Sequence, residues 1–260
     1  MNIVLITGAS SGMGRECAYL ADDLYDNKID EIWLISRRKE RLIEVSENMK
    51  HKTYILPLDL TKESDLSILE LELEMVKPNI KMLINASGCG YMGDFISADK
   101  DDQTKMVRLN CEALVATTKL CLPYISNNGR IIQFASSAAF VPQIGFSVYA
   151  ASKAFVLSFS KSLNCELMDR NISVTAVCPG PVDTEFLSLA KNGKDDSNFA
   201  FKKLFISDPY DVVWKAFVDS YHRKSKSVYS LSMKLFELFC KIVPHDIILT
   251  LMRLLKNFGE

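Results

Sequence analysis

Asn2-Ile-Val-Leu-Ile-Thr-Gly-Ala-Ser-Ser-Gly-Met-Gly14 runs from a short apolar stretch straight into a turn with glycines at positions 8, 12 and 14. Ile3–Ile6 reads as a strand, and the pattern over residues 13–25 reads as the helix that follows. Glycines there permit a tight turn and let a ligand approach the backbone closely. The start of the helix offers amide groups without partners and the positive end of a dipole, both suited to a pyrophosphate. Gly8, Ser10, Ser11, Gly12, Met13 and Gly14 are therefore the candidate phosphate cradle.

Outward from this turn, short apolar runs alternate with longer amphipathic ones. Strands are expected at Ile3–Ile6, Glu31–Ile35, Thr53–Pro57, Met82–Ile84, Arg130–Phe134, Ser173–Val177 and Ser227–Tyr229. Helical patterns lie between them, at roughly 13–25, 38–49, 62–76, 101–125, 148–169 and 208–222. Continuous Val/Ile/Leu runs suit strands buried on both faces of a parallel sheet. The alternation implies right-handed βαβ units, hence an α/β fold: a Rossmann-type doubly wound parallel sheet of about seven strands in three layers. Without a linker, residues 1–260 are expected to form one domain for dinucleotide binding and catalysis. Residues 185–207 break the rhythm as an insertion of the kind that covers a site or is disordered. Residues 231–260 form a helical tail rich in Leu, Phe and Met, interrupted at Pro244.

Composition excludes several classes. A net charge of −1 leaves no electrostatic footprint for nucleic acid. Seven cysteines without a CxxC pair, and three scattered histidines, argue for a reducing, cytoplasmic setting with no disulfide and no metal site. The apolar start is too short for a signal peptide, and no run of ~20 uncharged apolar residues exists.

The second strand ends in Ile35-Ser36-Arg37-Arg38. A fold of this kind selective for NAD places a carboxylate there, for the ribose 2′-hydroxyl. Ser36 followed by guanidinium groups suits a 2′-phosphate instead, which favours NADP, with NAD second. The alternative is that Arg37 and Arg38 only begin the charged surface helix Arg37-Arg-Lys-Glu-Arg41.

Ser147-Val-Tyr-Ala-Ala-Ser-Lys153 places a phenol and an ammonium on one helical face. A neighbouring positive charge lowers a tyrosine pKa from its usual ~10, which makes Tyr149 a usable proton donor and acceptor. Ser136 lies thirteen residues upstream of Tyr149.

Taken together, these residues resemble the short-chain dehydrogenase/reductase family over about residues 2–184. Its motifs stand in order: the turn from Thr7 to Gly14, Asp59, Asn85-Ala-Ser-Gly88, Asn110, Ser136, Tyr149 with Lys153, and Pro179-Gly-Pro-Val-Asp-Thr184. Asn85-Ala-Ser-Gly88 replaces the family's commoner Asn-Asn-Ala-Gly by small residues only. The resemblance implies that Tyr149 is the general acid and base, Lys153 lowers its pKa and holds the nicotinamide ribose, and Ser136 holds the substrate oxygen. It implies that Asn110 supports a water-linked proton path. It also implies an adenine contact at Asp59 and Leu60, ribose contacts at Asn85, Ala86 and Gly88, and a nicotinamide frame of Pro179, Gly180, Val182 and Thr184. The long helices with Asn110 and Tyr149 imply a homodimer or homotetramer.

Substrate contacts are expected from Phe140, Val141, Gln143, Phe146, Phe186 and Leu187, and from Cys89, Gly90 and Tyr91. The lining is apolar and lacks an arginine clamp for a small acid. A lipophilic ketone or secondary alcohol fits, with hydroxysteroids first and 3-oxoacyl thioesters next. A non-catalytic NADP-binding regulator is the rival class, against which the intact Tyr149/Lys153 pair speaks. The tail is expected to cap the pocket, pack against a subunit, touch a membrane surface peripherally or simply pack as core.

Overall fold

The continuous apolar runs pair into one all-parallel sheet. The computed structural model describes residues 1–25, 28–190 and 206–258. Strands β1 (Asn2–Thr7), β2 (Glu31–Ile35), β3 (Lys52–Leu56), β4 (Asn79–Asn85), β5 (Ile125–Phe134), β6 (Ser173–Val177) and β7 (Lys226–Ser227) lie in the order β3-β2-β1-β4-β5-β6-β7. Alternation along each strand feeds two apolar layers. Val4 and Ile6 pack with α1 (Gly12–Leu24), α2 (Lys39–Glu47) and a late helix, α8 (Pro209–Tyr221). Ile3 and Leu5 pack with α3 (Glu63–Val76), α5 (Ala113–Cys121) and α6 (Ser147–Glu166). The expected α/β, three-layer, doubly wound architecture is the one observed.

Register places the site. Thr7 pairs with Ile35 on one side and Asn85 on the other, and Asn85 pairs with Gln133. Strand order reverses between β1 and β4, so their carboxyl ends flank the crevice where such folds bind ligands.

The expected helix over 101–125 is not continuous. It divides into α4 (Lys100–Val107), a π-helical turn (Arg108–Glu112) and α5, after which the chain enters β5 at Ile125. A π turn adds a residue and re-aims the side chains it carries, and it recurs at functional sites. Asn110 sits inside it. The insertion begins as α7 (Glu185–Ala190), and its residues 191–205 lie outside the described residues. The tail folds as α9 (Leu231–Ile242) and α10 (His245–Phe258), divided at Pro244. No described helix is long and apolar enough to cross a membrane.

Candidate active site

The glycine-rich turn is closed backbone to backbone. A Cβ on Gly14 would stand 2.2 Å from the Gly8 carbonyl oxygen, and one on Gly8 (φ +70°) would stand 2.8 Å from the backbone of Ala86 and Ser87. No side chain caps the first turn of α1, because the Ser11 hydroxyl instead accepts from Arg38 Nη2 at 2.7 Å. The amides of Gly12, Met13 and Gly14 therefore stand at the wall of a cleft of about 380 Å³.

Arg38 spans the rim of that cleft. Its Nε and Nη2 reach Ser10 Oγ at 3.4 and 3.2 Å, and its Nη1 reaches both carboxylate oxygens of Glu185 at 3.1 and 3.0 Å. Arg41 Nη1 donates to the same carboxylate at 2.8 Å. Hydrogen bonds from Arg41, then Arg38, hold the Glu185 carboxyl below its ordinary range. Ser36 and Arg37 line the same rim, as do Asp59 and Leu60 after β3. Asp59 Oδ1 accepts from the amide and hydroxyl of Thr61 at 3.1 and 2.7 Å, which fixes that loop. Ala86, Gly88, Pro179, Gly180, Val182 and Thr184 line the floor and far wall.

Asn85 departs from its expected position. It is buried beneath the floor, donating to Thr118 Oγ1 (3.0 Å) and Gln133 Oε1 (3.2 Å), because its place at the end of β4 turns the side chain into the sheet's polar underside. It supports the cleft without lining it.

The catalytic candidates meet between the nucleotide end of the cleft and its aromatic end. Ser136, Tyr149 and Lys153 all line it. Lys153 is buried, donates to the Phe134 carbonyl at 2.7 Å, and lies 5.7 Å from the centre of the Tyr149 ring. Burial lowers Lys153 to about 8. Burial also pushes the Tyr149 phenol up to about 12, against a smaller lowering by the Ser136 hydroxyl. The expected depression of the phenol by its ammonium neighbour is therefore not what the protein alone provides; loss of solvent sets the direction of the shift. Ser136 Oγ accepts from the Ala138 amide at 3.1 Å. Asn110 does not line the cleft; its amide clamps Cys89, accepting from the backbone N and donating to the backbone O at 2.9 Å each, and reaches Ser152 Oγ at 3.0 Å.

Aromatic rings wall the remaining end. Phe146 stacks on Tyr149 with ring centres 4.1 Å apart, and Phe186 lies 5.5 Å from Tyr149. Gln143, Leu187 and Met92 complete this wall. Met92 N donates to Ala190 O at 2.9 Å, tying α7 to the loop after β4. Phe140 and Val141 are absent from the wall, contrary to expectation. A 3-10 turn (Ser137–Phe140) carries them behind the site, where Val141 packs with Cys240 and Ile248, and the Phe140 ring lies 6.4 Å from Phe236. The tail thus braces the catalytic turn from outside, and its Met233 would meet a Cβ on Gly180 at 2.8 Å. Cys89, Gly90 and Tyr91 stand one shell back, with Gly90 leaving room for Phe186. Met92 and Leu109, which line the cleft, and Glu185, which pairs with Arg38 of its rim, are residues that sequence alone did not single out. Glu185 is 147 positions from Arg38, beyond any local pattern.

Residues 2–195 match the family model described as short chain dehydrogenase. The NADP-dependent 3-hydroxy acid dehydrogenase YdfG of Escherichia coli is 33% identical over 197 residues, 74% of this chain and 78% of that one. A short-chain dehydrogenase from Sphingobium yanoikuyae, solved with NADPH, superposes with a TM-score of 0.75 at 28% identity, covering 89% of each chain. The bulky-bulky ketone specific alcohol dehydrogenase from Comamonas testosteroni gives 0.72 at 26% identity, covering 89% of this chain and 87% of its own. The chain belongs to the short-chain dehydrogenase/reductase family of oxidoreductases.

Proposed function

We propose that the protein is an NADP(H)-dependent reductase and dehydrogenase that interconverts a ketone and a secondary alcohol on a bulky apolar substrate, with hydroxysteroids as the leading class. The observation that carries this is one continuous cleft. It runs from the uncapped amides of α1 and the arginine rim, past Tyr149, Ser136 and Lys153, to an aromatic wall.

The residues present fit a phosphorylated dinucleotide. The cradle of Gly8, Gly12 and Gly14 has no room for side chains at Gly8 and Gly14, and the rim carries Arg37 and Arg38 where a 2′-phosphate would lie. Bound there, the nucleotide supplies the hydride; the chain supplies binding, orientation and proton control. Ser136 holds the substrate oxygen, and the Tyr149 hydroxyl gives that oxygen its proton in reduction and takes it back in oxidation. A phenol pushed up to about 12 keeps its proton across neutral pH until the substrate oxygen gains negative charge. Lys153, at about 8, is largely cationic near pH 7, and its ammonium lies 5.7 Å from the centre of the Tyr149 ring, within the cleft that would take the ribose. Asn110 holds the Cys89 backbone and so positions the loop beside Lys153.

The substrate end explains the choice of substrate class. Met92, Gln143, Phe146, Phe186 and Leu187 offer no cation among the described residues. YdfG acts on 3-hydroxy acids, and the Comamonas enzyme is specific for bulky ketones. The apolar wall here favours the second kind. A 3-oxoacyl thioester is the runner-up. We take the whole chain as one cytoplasmic domain that assembles as a homodimer or homotetramer, its tail serving mainly to brace the catalytic turn.

The test is a panel of steroid ketones, open-chain bulky ketones, 3-oxoacyl thioesters and small 3-oxo acids, each with NADPH and with NADH. Bulky ketones should exceed small acids in kcat/KM by about 100-fold, the scale of a few buried methylenes. Preference for the small acids would remove the substrate assignment. Turnover of nothing, with NADPH still bound, would favour the non-catalytic regulator.

A further inference from the structure

The NADPH assignment leaves the carboxylate of Glu185 unexplained. It sits at the rim where a 2′-phosphate would lie, yet it has the same sign as the phosphate. Both its oxygens are engaged by Arg38 Nη1, and Arg41 adds a third contact. The Nε and Nη2 edges of Arg38 are occupied by Ser10 and Ser11. The guanidinium thus already has an acceptor on every edge that a phosphate would use. A dianion arriving here must take Nη1 from Glu185 or stand beside it, at the cost of like-charge repulsion.

We infer that Glu185 is a specificity-determining residue for the cofactor: it competes with the 2′-phosphate of NADP(H) for Arg38 and Arg41, and so holds the preference for NADP(H) over NAD(H) below what the arginines alone would give. This rests on the NADP(H) assignment above. NAD(H) has a hydroxyl at that position and leaves the ion pair intact. Glu185 also opens α7, which carries Phe186 to within 5.5 Å of Tyr149, so the competing charge rides on the segment that walls the substrate end.

Arg38, Arg41 and Glu185 side chains are 40%, 45% and 33% exposed, so solvent and salt weaken the competition. The experiment measures dissociation constants of NADPH and NADH, and of adenosine 2′,5′-bisphosphate and AMP, for the wild type and Glu185→Gln. Expected is roughly three- to fivefold tighter NADPH with NADH unchanged, the scale of a half-exposed pair. The bisphosphate should gain likewise over AMP, and the gain should shrink in about 0.5 M salt, where the screening length is about 4 Å. Glu185→Ala should give the same sign, and unchanged NADH affinity shows that both variants are folded. A shift of twofold or more in favour of NADPH over NADH bears the inference out. A smaller shift, or one toward NADH, overturns it by showing that Glu185 only orients Arg38. Failure of the wild type to bind either dinucleotide would instead strike the cofactor assignment itself.

Discussion

The two ends of the cleft are built by different means. The nucleotide end is mostly backbone: Gly8 and Gly14 bring the turn, the β4 loop and the first amides of α1 into contact, and little depends on side-chain identity beyond the arginine rim. The substrate end is mostly side chain. Phe146, Phe186, Met92 and Gln143 come from two separate loops and one short helix and meet only after folding. Backbone sites tolerate little added volume but are set locally, whereas side-chain walls tolerate change and are set by the whole fold.

That contrast can be broken most severely at Gly14. Gly14→Ala puts a methyl 2.2 Å from the Gly8 carbonyl, so the turn must open. NADPH and NADH affinities should both fall on the order of 100-fold, as expected for an overpacked contact of about 3 kcal/mol. Isothermal titration checks this, with a thermal melt to confirm that the sheet survives.

Next in size is a pH effect at the junction of the two ends. The folded pKa of Lys153, about 8, is below its ordinary 10.5, so between those values the unfolded chain binds more protons. The penalty for burying the ammonium is fully present below pH 8 and is relieved as pH rises toward 10.5. Between about pH 7 and 9.5, wild type should gain roughly 2 kcal/mol of stability relative to Lys153→Met, read from denaturant melts. Above the ordinary tyrosine value of 10 the raised Tyr149 pKa acts in the opposite sense, so the window must end below it.

A smaller effect sharpens the nucleotide end. Arg37→Ala removes a rim cation and should weaken NADPH about tenfold while leaving NADH within about twofold, on the scale of one charge-assisted hydrogen bond. The smallest probes the aromatic wall. Gly90→Ala would place a methyl 2.7 Å from Phe186 Cζ, 3.0 Å from Phe146 Cζ and 3.1 Å from Tyr149 Cδ2, all atoms of side-chain rings. The rings can yield, so KM for a bulky ketone should rise about threefold with NADPH affinity unchanged, a loss of less than about 1 kcal/mol.

The same contrast governs what the sequence could reveal. The fold and the nucleotide end were legible, because apolar runs of strand length and a glycine turn between strand and helix are local patterns. Tyr149 and Lys153 were legible for the same reason, one helical turn apart. Phe140 and Val141 were misplaced because a 3-10 turn and the distant tail decide which way they face. Asn85 was misplaced because its partners, Thr118 and Gln133, lie on other elements. Glu185 gave no signal, since its meaning depends on Arg38, far away in the chain. The direction of the Tyr149 shift was misjudged because it is set by burial, which a sequence does not display.

Proton delivery by Tyr149 is tested most directly by Tyr149→Phe, measuring NADPH affinity and steady-state ketone reduction on the same preparation. Tyr149 lines the cleft while its ring contacts Phe146 and Phe186, so removing one oxygen should leave the walls in place. The expected result is a kcat lower by about 1,000-fold with NADPH bound as in wild type. A variant that reduces the ketone within about tenfold of the wild-type rate would contradict the assignment of Tyr149 as the proton donor.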